Sequence, residues 1–356
     1  MIDDFELDYV EIYVQDMSAQ AAVWRDHYGF DEVAIGGSPQ QGFRSVLLRQ
    51  GAIDLVLTEA TDARHPAASY VLAHGDGVAD IALRTADVRK AFAQVIERGA
   101  CALAEPREHE TDDVVLSASV SGFDDVVHTL VQRRGSGRGL PPGFRPLPQA
   151  GGPAEHEHVG EARLAEIDHF AVCLKVGQLD PTVDYYKATF GFRETFEERI
   201  AVGAQAMLSK VVQSQTGAVT FTLIQPDPSA DQGQIDEFLK EHDGAGVQHI
   251  AFGTDNVVEA VRTLSRNGVE FLTTPDAYYG RLSDRVSTGE HTLNELRELN
   301  ILVDEDHGGQ LFQIFTRSMH ERRTIFFEVI ERRGAETFGS SNIKALYEAV
   351  EMDLTR

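Results

Sequence analysis

The chain carries a copy of itself. Residues 8–14 read Asp-Tyr-Val-Glu-Ile-Tyr-Val and residues 168–174 read Asp-His-Phe-Ala-Val-Cys-Leu. Each run precedes a helical stretch ending Tyr28-Gly29-Phe30 or Phe190-Gly191-Phe192. A second pair is closer: Gly-Asp-Gly-Val-Ala-Asp-Ile-Ala at 75–82 against Gly-Ala-Gly-Val-Gln-His-Ile-Ala at 244–251. Amphipathic stretches at 86–98 and 255–267 follow, and Leu-Val-Gln-Arg-Arg-Gly at 130–135 answers Val-Ile-Glu-Arg-Arg-Gly at 329–334. A repeat of this kind restricts the fold to one supersecondary plan used twice. Alternation supplies the plan. Ile53, Leu55 and Leu57 share a face opposite Asp54, Val56 and Thr58, and Val219, Phe221 and Leu223 alternate with Thr220 and Thr222, as in half-buried strands. The expectation is an α+β fold of tandem βαβββ repeats, with one open, curved sheet in each half.

At 356 residues the chain exceeds what one core usually fills. The copies divide it into an N-terminal repeat domain (1–135), a Gly/Pro-rich linker (136–163) and a C-terminal domain (164–356). Its 32 basic and 57 acidic residues give a net charge of −25. That balance disfavours nucleic acid and anionic membranes, which reward clustered Lys and Arg. No apolar run approaches the roughly 20 residues of a membrane helix. The two cysteines, Cys101 and Cys173, fall one in each half, and a reducing cytoplasm is the simpler setting for them.

The copies differ chemically. Where the second half has His169, His249 and Glu328, the first has Tyr9, Asp80 and Thr129. The three polar residues of the second half interrupt strongly apolar strands. By alternation His169 shares a face with Ile167, Ala171 and Cys173, His249 with Val247 and Ala251, and Glu328 with Phe326 and Ile330. A buried ionised Glu needs a cationic partner, a metal or a raised pKa. Two imidazoles and a carboxylate suit a divalent metal, either non-haem iron(II) or catalytic zinc, and spacing does not choose between them. The other histidines make no such set. His156 and His158 lie in the linker, His307 beside an acidic turn, and His65, His74 and His128 lack convergent partners.

Four segments, taken together, resemble the 4-hydroxyphenylpyruvate dioxygenase family of the vicinal oxygen chelate superfold. They are Gly-Ala-Gly-Val-Gln-His-Ile-Ala (244–251), Gln-Leu-Phe-Gln-Ile-Phe-Thr (310–316), Thr-Ile-Phe-Phe-Glu-Val-Ile-Glu-Arg (324–332) and Phe-Gly-Ser-Ser-Asn-Ile-Lys-Ala-Leu-Tyr-Glu (338–348). The resemblance implies glyoxalase-like open barrels with a C-terminal helix, about 341–352, over the active site. It implies Fe(II) at His169, His249 and Glu328, an aromatic 2-oxo acid and O2 as substrates, and a homo-oligomer, with a dimer favoured. It places Ser209, Thr222, Gln234, Gln313, Phe315, Phe326, Phe338 and Leu346 around the substrate.

Family members act on 4-hydroxyphenylpyruvate in two ways, attacking the ring to give homogentisate or hydroxylating the benzylic carbon to give 4-hydroxymandelate. Ring-attacking members carry Pro-Ile-Asn-Glu-Pro where this chain has Thr222-Leu223-Ile224-Gln225-Pro226, and Gly-Asn-Phe where it has Ser341-Asn342-Ile343. Thr222, Ile224 and Ile343 therefore resemble the benzylic pattern and are expected to determine the product, which such members supply to peptide-antibiotic synthesis. A protein of the same superfold that only binds a small molecule is the remoter expectation.

Overall fold

A computed structural model of the chain describes residues 4–109, 114–135, 138–147, 162–280, 282, 286–306, 308–339 and 342–345. The first half contains the strand–helix–three-strand plan twice. One module is β1 (Glu6–Tyr13), α1 (Met17–Val23), β2 (Asp31–Ser38), β3 (Phe43–Gln50) and β4 (Ile53–Ala60). After α2 (Pro66–His74) comes the next, with β5 (Gly77–Arg84), α3 (Val88–Glu97), β6 (Ala102–Glu108), β7 (Val114–Ser121) and β8 (Val127–Arg133). In each module the first and last strands pair parallel, and β1 meets β5 antiparallel. The result is a single sheet ordered β6-β7-β8-β5-β1-β4-β3-β2-β9, whose edge strand β9 (Arg145–Pro146) comes from the Gly/Pro-rich stretch. Arg138 of that stretch pairs with Asp54 at 2.7 Å, so residues 138–147 lie strapped to the first sheet.

The second half repeats the construction. Its strands are β10 (Leu164–Cys173), β11 (Arg193–Val202), β12 (Gln205–Gln213), β13 (Thr220–Pro226), β14 (Gly246–Thr254), β15 (Leu302–Asp306), β16 (Gly309–Phe315) and β17 (Phe326–Arg333). Its helices are α4 (Leu179–Tyr185), α5 (Gln234–Glu241), α6 (Val257–Arg266), α7 (Asp276–Tyr279) and α8 (Leu293–Glu298). The sheet runs β11-β12-β13-β10-β14-β17-β16-β15. The helices predicted at 86–98 and 255–267 appear as α3 and α6, each begun by a side-chain cap, from Asp87 and Asn256.

Two expectations from alternation change. β4 is buried from Ile53 to Thr58 and β13 along its whole length, so neither strand is half-buried. Each sheet presents one face to its own curled interior and the other to the core between the halves. A polar residue on such a strand therefore faces packed side chains and not water.

One core joins the two halves, and its contacts are reciprocal. Trp24, in the π-helical turn that extends α1, packs on Phe327 and Phe252 of the second sheet, at 4.8 and 6.0 Å between ring centroids. Its repeat equivalent Tyr186, in the matching turn after α4, donates or accepts a 2.7 Å hydrogen bond with His128 of β8. His128 stands where Phe327 stands in the other copy, so its partner lies across the interface.

Candidate metal centre and substrate cavity

The registers of the two sheets superimpose residue for residue. Tyr9 faces Ala82 and Asp80 faces Val127, as His169 faces Ala251 and His249 faces Phe326. The three candidate ligands lie on neighbouring strands β10, β14 and β17, and Ala251 is the cross-strand partner of both His169 and Glu328. Cross-strand Cβ atoms lie about 5 Å apart. An alanine between two long polar side chains leaves room for their tips to converge.

They do converge. His169 Nε2 lies 3.4 Å and His249 Nε2 3.3 Å from the same oxygen of Glu328. The three residues form the one group of metal-competent side chains found among the described residues. Glu328 is 1% exposed. Burial opposes its charge, yet the two imidazoles hold its pKa at about 2. Burial likewise opposes charge on His169, but Glu328 and Asp168 draw it up to about 9, while burial lowers His249. Two imidazoles and a carboxylate, all buried and converging on one point, form a donor set that fits a divalent metal. Aromatic rings fix the imidazoles: Phe326 stacks on His249 at 4.9 Å, and Phe338 meets His169 edge-on at 5.0 Å.

Simple alternation is broken at two bulges beside the ligands, and this corrects the face assignments made from sequence. β10 and β14 slip register between Ile167 and His169 and again between Ala171 and Val172. Ile167 and Val247 consequently join the core on the other face, while Ala171, Cys173 and Ala251 stay with the ligands. The bulges also turn two unanticipated residues toward the site. Gln248, skipped by the register, lines the cavity beside His249. Asp168 accepts a 2.7 Å hydrogen bond from His169 Nδ1 and a bidentate pair from Arg332 at 2.7 and 2.9 Å. Arg332 further donates to the Thr337 carbonyl and lies over the Phe338 ring, 4.9 Å from its centroid.

The first copy tests what this support is for. Arg133 donates to both Asp8 oxygens and to the Leu140 carbonyl, the counterpart of Arg332 with Asp168 and Thr337. The Arg–Asp clamp thus persists in the copy that has no ligand set and serves to hold the chain leaving the last strand. Only in the second copy does it also orient a histidine and a phenylalanine. In the first copy the ligand positions are closed by Tyr9, Asp80 and Thr129, with Asp80 accepting hydrogen bonds from the Thr129 amide and hydroxyl.

Around the ligands the structure brings together Ser209, Thr222, Ile224, Gln234, Gln313, Phe315, Phe338 and Ile343, with Met207, Ile235 and Gln248 added. Phe326 joins them through its stack on His249. Leu346, the part of the expected 341–352 helix that follows Ala345, and the linker histidines His156 and His158 lie outside the described residues, as does His307; residues 342–345 are helical. Gln313 departs from a purely substrate-facing role. Its amide donates to Glu328 at 2.8 Å and accepts from Asn342 at 2.8 Å. The Thr222 hydroxyl is buried without a partner and faces the cavity. A larger cavity, about 380 Å³, adjoins the site and shares Gln234, Gln248 and Phe326 with it or its ligands. Of the histidines without convergent partners, His65 caps α2, His74 pairs with Asp125 and His128 bonds Tyr186.

Known proteins show the same organisation. Residues 2–140 match the model described as hydroxyphenylpyruvate dioxygenase, N-terminal, and residues 166–314 match the glyoxalase/bleomycin resistance protein/dioxygenase superfamily. The 4-hydroxyphenylpyruvate dioxygenase of Danio rerio is 32% identical over 97% of this chain and 89% of its own length. The Aspergillus fumigatus enzyme of the same name is also 32% identical, over 97% and 92%. Among solved structures, a triple mutant of 4-hydroxymandelate synthase from Streptomyces coelicolor is 42% identical, covers 99% of each chain and has a TM-score of 0.87.

Proposed function

Because this chain belongs to the 4-hydroxyphenylpyruvate dioxygenase family, whose known members are non-haem iron dioxygenases, we propose that it converts 4-hydroxyphenylpyruvate and O2 to 4-hydroxymandelate and CO2. His169, His249 and Glu328 would hold iron(II), which supplies oxygen activation and the oxidative decarboxylation of the 2-oxo acid. One oxygen atom enters the carboxylate of the shortened acid and the other the benzylic hydroxyl, so both atoms of O2 are accounted for.

The protein's contribution is orientation. The observation that carries the benzylic reading is the cavity lining, where Ile224 and Ile343 stand with the unpartnered Thr222 hydroxyl. The two isoleucines offer the ring no hydrogen bond, and the Thr222 hydroxyl gives the phenol an anchor. With the ring held there, the CH2 group and not the ring edge faces the ligands. Reaction outcome is sensitive to displacements of about 1 Å, which pocket shape can impose. Phe315, Phe326 and Phe338 exclude water, and Ser209, Gln234 and Gln248 offer polar contacts. The adjoining 380 Å³ cavity gives the substrate its way in. The 42% identity to a hydroxymandelate synthase, against 29–32% to the ring-attacking relatives, supports the same reading. Product analysis after incubation with 4-hydroxyphenylpyruvate, iron(II) and air tests it. 4-Hydroxymandelate is expected, and homogentisate as the main product overturns the reading.

A further inference from the structure

The first copy holds no ligand set, yet it reaches the wall of the cavity in the second. Four rings run in sequence from α2 to α5. Tyr70 meets His74 at 4.7 Å, His74 stacks on His242 at 4.5 Å and 19°, and His242 stacks on Phe238 at 5.1 Å and 15°. Hydrogen bonds lock the column at the crossing between the halves. His74 Nδ1 lies 2.6 Å from the His242 carbonyl, and His74 Nε2 lies 2.9 Å from Asp125. Gly246 permits the close approach, since a Cβ there would fall 2.4 Å from the His242 ring.

A second tie acts on the same two helices. The Arg322 guanidinium donates to the carbonyls of Leu72 and Ala73 in the last turn of α2 and approaches that of Glu241, the last residue of α5, at 3.5 Å. Last-turn carbonyls have no partner within their own helix and carry the negative end of the helix dipole. One cation therefore caps a helix of each half and fixes their separation. What α5 carries is the substrate wall. Gln234 and Ile235 line the cavity, and Phe238 packs in one cluster with Ile235 and Ile224, with Ile343 against it.

We infer that the first copy acts as a template for the active site, setting the position of α5 through His74, His242 and Arg322, which are positioning residues for the reaction outcome. None of the three is a metal ligand and none lines the cavity over the ligands; Arg322 lines the adjoining 380 Å³ cavity, whereas His74 and His242 line neither. Loosening the column would let α5 and Ile224 shift, widening the pocket in which the ring is held. The shift would alter substrate affinity and the partition of oxidation while leaving metal binding to β10, β14 and β17 intact. The inference uses the proposed activity only to name the products.

The test uses the full-length chain with His74→Ala, His74→Phe and Arg322→Met. Iron(II) affinity is measured by titration of the metal-free protein, and melting temperature alongside it. Turnover assays give KM, the product distribution and organic product formed per O2 consumed. His74→Ala is expected to raise KM severalfold and lower product per O2, and Arg322→Met, whose side chain lines the entry cavity, is read by product per O2 alone and is expected to lower it, each with iron affinity within twofold of the parent. His74→Phe, which keeps the ring stack, is expected to recover part of both. Partition ratios do not depend on the fraction folded, so a lower melting temperature with unchanged KM and partition overturns the inference. A parallel loss of iron affinity overturns it as well. Should His74→Ala not fold, the other two variants are read against the same criteria. If the parent enzyme gives homogentisate, the benzylic reading fails, while homogentisate per O2 in the variants still decides the role of the column.

Discussion

Glu328 is an anion only 1% exposed, whose neighbours are rings, an amide and two imidazoles. Removing one partner of such a cluster leaves the others uncompensated. Glu328→Ala should abolish high-affinity iron binding and turnover together, as equilibrium metal titration and O2 uptake would show; retained activity would remove the triad. This residue was legible from sequence because it breaks an apolar strand and because the sister copy has Thr129 in its place. Gln248 and Asp168 were not legible, since alternation aims both away from the ligands and only the bulges bring them round. Ile224→Asn combined with Ile343→Phe would restore a polar group and a ring to the wall. Chromatography of the products should show homogentisate appearing at the expense of 4-hydroxymandelate, and an unchanged ratio would refute the orientation argument.

Among the elements, the strand pairs β1–β5 and β10–β14 share two bulges, and the same scaffold carries a convergent donor set in one copy and a hydrogen-bonded plug in the other. The plug has a pH signature. Burial, reinforced by Glu11, raises Asp80 to about 8. A carboxyl whose folded pKa lies above its unfolded value binds its proton more tightly when folded. Its contribution to stability is complete below the unfolded pKa and is lost as pH rises through the folded one. Stability from this group should therefore decline from about pH 4 to pH 8. Asp80→Asn keeps an acceptor for the Thr129 amide and supplies a donor to its hydroxyl. Thermal melts should show the variant gaining on the parent as pH rises across that window, and a gap independent of pH would contradict the assignment. The Arg332–Asp168 clamp makes a related prediction. Asp168→Asn should weaken iron binding by roughly 10–100-fold, the usual cost of losing an outer partner of a ligand histidine. The matching Asp8→Asn should leave iron affinity unchanged, since its clamp orients no ligand.

For the whole molecule, the repeat was readable from short segment matches, and with it the α+β plan and both long amphipathic helices. Alternation could not reveal how the copies dock, because strands buried on both faces have no solvent side to mark. The docking is reciprocal, so the halves should not unfold separately. Trp24 is the single tryptophan and lies between them against Phe252 and Phe327. Its fluorescence, far-UV circular dichroism and enzymatic activity should therefore be lost at one denaturant concentration. Separate transitions would show independent domains. No helix among the described residues is long and apolar enough to cross a membrane. On the proposed function, this duplicated scaffold keeps its chemistry in one copy and directs it to a benzylic carbon. Incubating the iron(II)-loaded protein with 4-hydroxyphenylpyruvate under 18O2 and analysing the organic acid by mass spectrometry tests both parts. The prediction is 4-hydroxymandelate with one labelled atom in the carboxylate and one in the benzylic hydroxyl; labelled homogentisate, or no oxygen incorporated, would contradict it.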